Sequence, residues 1–150
     1  MKPVDHRIIA QLRKNARKPI PKISKEEAVP PSTIYEKLKR QYKGLFKGYI
    51  TLMNFQNLGY NTIMHFAISC NETNKADVKK YLLEHPRINT LYRLSFDWDY
   101  LAEGIFKNLE EAEDFKTITL DRFNPIKLEC FNMVAELKKE EFLSKPEHFK

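Results

Sequence analysis

Along the first part of the chain, apolar positions recur at helical spacing and are cut apart by prolines. Ile8, Ile9 and Leu12 mark one side of a helix predicted over residues 4–15, and Asp5 is placed to accept an orphan backbone N–H at its start. The run Lys18, Pro19, Ile20, Pro21 breaks that helix, because a proline inside it removes a donor and clashes with the preceding turn. Pro21 opens a short second helix through Ala28 with Ile23 turned inward. After Val29, Pro30 and Pro31, a third helix is predicted over residues 32–42, with Ile34, Leu38 and Tyr42 on its buried side. Three short helices with a tight turn before the third describe a helix-turn-helix unit.

Beyond Gly44 the pattern changes. Residues 45–52 read as extended and residues 54–61 as a polar connector. A strand is predicted over 62–70, with Ile63, Phe66 and Ile68 among its apolar residues, then a helix over 76–85 that Pro86 stops, with Val78 and Leu82 inward. Two strands, 88–94 and 101–106, flank the loop of residues 95–99. A second helix over 108–118 carries Leu109, Ala112, Phe115 and Ile118. The last strand, 126–135, has apolar residues on both alternations: Ile126, Leu128 and Cys130 on one, Phe131, Met133 and Ala135 on the other. That is the pattern of a strand buried on both faces. The order βαββαβ is the split, ferredoxin-like arrangement around an antiparallel sheet, and the fold class is α+β. The chain divides into a helix-turn-helix DNA-binding domain (1–48), a hinge strand and linker (49–61), a ferredoxin-like oligomerisation domain (62–137) and a charged tail (138–150).

Charge gives the first half of this picture a function. The 150 residues carry a net +6, but residues 1–50 hold 13 basic and 4 acidic side chains, a net of +9, and residues 51–150 hold 13 and 16, a net of −3. Positive charge gathered on a helix-turn-helix points to a nucleic-acid polyanion, here double-stranded DNA. Lys14, Arg17, Lys18, Lys22 and Lys25 are placed to neutralise phosphates, which positions the unit without reading sequence. Ser32, Thr33, Glu36, Lys37, Lys39 and Arg40 on the third helix lie nearest the major groove, with Tyr35 placed for backbone, a thymine methyl or packing. One such unit covers a half-site, so a dimer is expected, and a sheet covered by helices on one face leaves the other for a second copy.

Other chemistry is thinly signalled. Cys70 and Cys130 lie far apart with no Cys-x-x-Cys and no histidine cluster, so no metal, cofactor or disulfide framework is expected, and both read as core thiols of a cytoplasmic protein. Residues 48–71 lack any Asp, Glu, Lys or Arg, but Asn54, Gln56, Asn57, Asn61 and His65 interrupt them and no membrane span is predicted. His65 reads as a packed or interface histidine. Asp97 and Asp99 fall on one side of an extended loop, with turn capping as their commoner role.

Asp5-x-x-Ile8-Ile9-x-x-Leu12-x-x-Asn15-Ala16-Arg17 resembles the opening of the leucine-responsive regulator/AsnC family of bacterial and archaeal transcription regulators. Pro31-Ser32-Thr33-Ile34 with Leu38-Lys39-Arg40 is similar to its recognition helix, Lys47-Gly48-Tyr49 to its hinge entry, and Asn54-x-x-x-Leu58-Gly59-Tyr60 to the segment leading into its second domain. Ser95-Phe96-Asp97-Trp98-Asp99-Tyr100 sits where the family has a Ser/Thr-Gly-Asp-aromatic-Asp loop. The resemblance implies a sequence-specific regulator acting as a dimer that assembles into tetramers or octamers. It also implies an amino acid or other small effector bound near Phe96, Asp97 and Asp99.

Four positions depart from the family pattern. Ala28 replaces a turn glycine, Glu27 stands at a commonly apolar position, the segment 41–44 is one residue short, and Phe96 replaces the loop glycine. A glycine there permits positive φ or close approach of a ligand, and phenylalanine suits neither. The same two-domain build is shared with sirohaem decarboxylases, for which only His65, His85, Arg87 and Arg93 are available in the second domain. The basic recognition helix speaks against that reading, and no catalysed reaction is expected. An effector-binding module with a decayed DNA-binding unit is the third alternative, resting on Glu27 and the shortened third helix.

Overall fold

The computed structural model describes residues 1–149 and divides into two units, Met1–Leu52 together with the residues from Leu137 on, and Met53–Glu136. In the first unit, α1 (Pro3–Lys14) starts on a proline, and Asp5 reaches back to accept the Lys2 backbone N–H at 2.8 Å. Helix α2 (Ile20–Glu27) ends at Ala28, whose φ of 53° is left-handed. Helix α3 (Pro31–Glu36) also opens on a proline and runs into a π-helical turn, Lys37–Gln41. Ile8, Ile9, Leu12, Ile23, Val29, Ile34 and Tyr42 form the core of this unit.

The π turn explains how the shortened third helix closes. At 3.6 residues per turn, Tyr42 would lie about 80° past Ile34 around the helix. The wider turn, marked by the Tyr42 N–H donating to the Lys37 carbonyl at 2.8 Å, rotates less per residue and returns Tyr42 to the core side. Tyr42 is buried there. Two further differences from expectation concern the ends of the unit. Residues 46–53 form no strand, since among the described residues no second strand pairs with them. Residues 138–149, expected with Lys150 as a charged tail, lie against α1 instead, and Lys150 itself is outside the described residues. Arg13 pairs with Glu140 and donates to the Phe142 carbonyl at 3.0 Å, and Phe149 stacks on the His6 ring at 4.5 Å. The apolar Phe149, packed at the edge of the helical core, outweighs the charged character of the segment.

The second unit is a four-stranded antiparallel sheet in the order β2-β3-β1-β4, formed by β1 (Thr62–Ser69), β2 (Ile88–Arg93), β3 (Tyr100–Phe106) and β4 (Lys127–Asn132). Helices α4 (Lys75–Glu84) and α5 (Leu109–Phe123) cover one face. Met64, Phe66 and Ile68 of β1 stand opposite Gly104, Ala102 and Tyr100 of β3, and these pairs meet Val78, Leu82, Ala112 and Phe115 from the helices. Gly104 has a specific reason to lack a side chain: a Cβ there would come within 2.7 Å of Phe106 Cζ and 3.2 Å of Phe66 Cε2. Helix α5 runs five residues beyond the predicted end at 118, because buried Thr119 satisfies its hydroxyl on the Phe115 carbonyl at 2.7 Å and Phe123 joins the core.

Among the described residues no helix of this unit covers the other face of the sheet, where Ala67 and Ile105 are buried and their neighbours are half-buried to exposed. That face also carries Ile63 and His65 of β1, Leu101 and Glu103 of β3, and Phe131 of β4, as their register requires. The last strand is therefore not enclosed on both faces in the single chain, contrary to its apolar pattern: Leu128 and Cys130 are half-buried, whereas Ile126 and Phe131 are exposed. Cys70 is buried, Cys130 lies opposite Phe66, and both thiols are free.

Candidate nucleic-acid interface

The basic residues singled out from the sequence divide into available and committed ones. Lys14 at the end of α1, Arg17 after it, Lys22 and Lys25 on α2, and Lys39 on the π turn are exposed. Lys18 is not. Its ammonium pairs with Glu26 and donates to Gln11 Oε1 at 2.5 Å, which keeps the Glu26 carboxyl below the usual carboxylate range. Lys18 thus ties α2 to α1 rather than standing free for a phosphate.

On the third helix, Ser32, Tyr35, Glu36 and Arg40 are exposed and Thr33 is half-buried. Glu36 and Arg40, one turn apart, pair at 3.1 Å in an exposed position where such a pair contributes little. Thr33, Glu36, Lys37, Arg40 and Gln41 line a groove of about 300 Å³. Lys37 differs from expectation: its ammonium turns back to Asp5 at 2.7 Å and to Gln41 Oε1 at 3.0 Å. Asp5 is fully buried and accepts further bonds from the Tyr42 hydroxyl at 2.8 Å and Gln41 Nε2 at 3.3 Å. Burial alone would raise its pKa, but the Lys37 ammonium, the Lys2 N–H and the Tyr42 hydroxyl outweigh it and hold the carboxyl at about 2, against an ordinary 3.8.

Sequence reasoning missed this anchor. A lone Asp near a helix start reads as a cap, and nothing local shows that Lys37, Gln41 and Tyr42 converge on it. Gln41 and the exposed Lys43 and Lys47 past the third helix were also overlooked. Glu27, which stands at a commonly apolar position, is satisfied by Arg7 Nε at 2.9 Å and Gln11 Nε2 at 2.6 Å. It therefore does not loosen the unit.

The loop of residues 95–99 separates its three candidates. Phe96 takes the left-handed conformation of the glycine it replaces, with φ of 66°, and its ring is fully exposed. Asp97 stays exposed, while Asp99 turns into the fold. Asp99 accepts from the Cys70 N–H at 2.8 Å and pairs with Lys75 at 2.6 Å. Burial would raise its pKa, but these partners lower it overall, and the Lys75 pKa rises in return. The two aspartates, expected on one side, are not brought together, because the turn at Phe96 redirects the chain. Trp98 packs under Lys127, whose ammonium lies 4.5 Å from the ring. On the sheet's open face His65 Nε2 is 3.5 Å from Glu103 Oε2. Among the described residues no three His, Cys, Asp or Glu side chains group to hold a metal ion, and no helix is long and apolar enough to cross a membrane.

A helix-turn-helix unit linked to a βαββαβ unit is a build that DNA-binding transcription regulators use, and the relatives decide the class. The chain is 31% identical over 113 residues to the HTH-type transcriptional regulator FL11 of Pyrococcus furiosus, covering 75% of each chain. A second HTH-type transcriptional regulator, from Pyrococcus abyssi, is 25% identical over 144 residues, 95% of this chain and 97% of that one. With these relatives and its two-unit fold, the chain belongs to the leucine-responsive regulator/AsnC family of transcription regulators. The fold matches B. subtilis LrpC with a TM-score of 0.80 at 21% identity, over 92% of this chain and 97% of that one. It also matches a Neisseria meningitidis transcriptional regulator solved as a complex with L-Met, with a TM-score of 0.83 at 19% identity, over 93% of each chain. No family model matches the sequence.

Proposed function

We propose that this regulator docks on double-stranded DNA as a homodimer, with the third helix of each copy in a major groove. The observation that carries this is the segregated charge, +9 in the first 50 residues, most of whose basic side chains, Lys18 and Lys37 apart, are exposed on the helical unit. Lys14, Arg17, Lys22 and Lys25 neutralise phosphates. Ser32, Thr33, Tyr35, Glu36, Lys39 and Arg40 meet base edges and the flanking backbone, while Lys18 and Lys37 hold the helices that present them. The open sheet face, with Ile63, Leu101 and Phe131 around the His65–Glu103 pair, supports pairing with the same face of a second copy. The exposed apolar residues Tyr49, Ile50 and Leu52 of the hinge fit the same partner. An amino acid or other small effector modulates binding in this reading. At the 95–99 loop it would meet Phe96 and Asp97, since Asp99 is already committed to Cys70 and Lys75.

Fluorescence anisotropy on DNA from upstream of the protein's own gene, against scrambled duplex and across a salt series, tests this. Cognate DNA should bind more tightly, and log affinity should fall linearly with log salt. Arg40→Ala should weaken cognate binding by about 1–3 kcal/mol, whereas Lys25→Ala should weaken both duplexes and reduce the salt slope by about 1. Equal, weak binding of the wild-type protein to both duplexes would defeat the reading.

A further inference from the structure

The segment that follows the sheet unit runs antiparallel along α1 as a strap. Glu140 and the Phe142 carbonyl meet Arg13 in the last turn of that helix, and Phe149 stacks on His6 near its start. At 1.5 Å per residue the two contacts lie about 10 Å apart along the axis. The strap between them is folded. The Ser144 N–H donates to the Glu141 carbonyl and the His148 N–H to the Lys145 carbonyl, each at 3.1 Å, and Ser144 is buried. Phe149 also packs against the apolar core of the helical unit, so this end is an anchor.

The other end is of a different kind. Arg13 adjoins Lys14 and stands four residues before Arg17, two of the side chains placed on phosphates, so along the chain it belongs to the same basic cluster. Its Nε donates to the Phe142 carbonyl at 3.0 Å and its Nη2 pairs with Glu140, which occupies the fork that would otherwise suit a phosphate. Both side chains of the pair stay open to water, 38% exposed for Arg13 and 50% for Glu140. An ion pair so exposed contributes little, and a phosphate can replace the carboxylate at small cost. The strap is therefore rooted at Phe149 and exchangeable at Arg13.

We infer that residues 138–149 compete with DNA inside the chain, Glu140 and the Phe142 carbonyl holding Arg13 in the place of a backbone phosphate. Releasing Arg13 adds one cation to the set that neutralises the duplex. By reciprocity, a duplex that takes Arg13 loosens the strap. The inference rests on the DNA-docking reading, since that reading names what Arg13 is withheld from.

Anisotropy titrations of the full chain on scrambled duplex, across a salt series, test it, because they read phosphate contacts without base preference. Glu140→Gln should raise affinity roughly two- to fivefold, the worth of one exposed ion pair, and steepen the salt slope by about 1. Glu141→Gln makes the same change of charge one residue away, where the carboxylate faces Lys138, and should leave the slope unchanged. Phe149→Ser removes the anchor with no change of charge and should match Glu140→Gln. Arg13→Gln should cancel both gains. A strap that merely braces α1 would give the opposite sign in Phe149→Ser, weaker binding that Arg13→Gln does not alter. Equal slopes for wild type, Glu140→Gln and Phe149→Ser, or gains that survive Arg13→Gln, would overturn the inference. Equal affinity of the wild type for cognate and scrambled duplex would instead defeat the docking reading alone, because the strap comparison uses only scrambled duplex. Absence of binding to any duplex, by wild type and Glu140→Gln alike, would sink both.

Discussion

In the helical unit the polar group at the centre, Asp5, is bonded to the far end of the third helix through Lys37, Gln41 and Tyr42. In the sheet unit the corresponding place is filled by rings: Phe66 lies 4.8 Å from Phe115 and 6.0 Å from Phe106, with Tyr81 stacked on Phe115 at 6.0 Å. The difference follows from size. Three short helices bury few apolar residues, so one well-satisfied carboxylate can fix which helix ends meet, whereas a sheet with two helices has apolar surface enough to define itself. Polar anchoring is directional but fragile, because removing one partner strands the others. Aromatic packing is tolerant of chemistry but not of volume.

The largest expected effect lies in the helical unit. Asp5→Ala leaves the Tyr42 hydroxyl without its buried acceptor and Lys37 without its counter-ion, and should cost about 3 kcal/mol of that unit's stability. Because the folded pKa of Asp5 is depressed to about 2, its contribution is fully present above the unfolded value near 3.8 and is lost as pH falls toward 2. That loss amounts to about 2 kcal/mol. Amide exchange of α1 and α3 measured from neutral pH to acid should show it, and Asp5→Asn should flatten the dependence. An unchanged acid limb in Asp5→Asn would show that the carboxylate is not the anchor.

In the sheet unit the sensitive point is volume. Gly104→Ala drives a Cβ into the buried Phe106 ring and close to Phe66, and should cost about 1–3 kcal/mol. Trp98, the single tryptophan, lies in this unit and reports its denaturant midpoint by fluorescence. A midpoint equal to wild type would mean that the ring moves aside freely.

The two units also differed in how far their sequences disclosed them. The sheet unit was legible because alternation along β1 and β3, and the 3.6 period of α4 and α5, each report burial locally. The three helices of the first unit were legible for the same reason, with prolines at their starts. What local patterns could not carry was convergence. Asp5 reads as a cap until Lys37 and Tyr42 are seen to meet it, and Lys18 reads as a phosphate contact until Glu26 closes on it. The π turn was foreshadowed only by a missing residue, and the docking of the last residues on α1 depends on Phe149 meeting His6. In the loop, Asp99 was legible as a turn aspartate, but its separation from Asp97 follows from a left-handed Phe96 that phenylalanine's own preferences oppose.

Left-handed residues offer the smallest and cleanest contrast. Ala28 closes α2 with φ of 53° and ψ of 43°, a position where the backbone N–H bonds the Ser24 carbonyl and where the side chain is exposed. A methyl group in this conformation is crowded against the following carbonyl, and an exposed side chain gains nothing in return. Ala28→Gly should therefore stabilise the helical unit by roughly 0.5–1 kcal/mol, the strain relieved exceeding the extra chain entropy that glycine brings to the unfolded state. The gain should appear in the exchange of α2 and α3 amides and leave the Trp98 denaturation midpoint where it was, because the sheet unit is untouched. A loss of stability would mean that Ala28 is held by contacts its exposure does not reveal. A rise of the Trp98 midpoint would mean instead that the two units unfold together, and the contrast between a polar-anchored and a ring-packed unit would then describe their construction but not their independent stability.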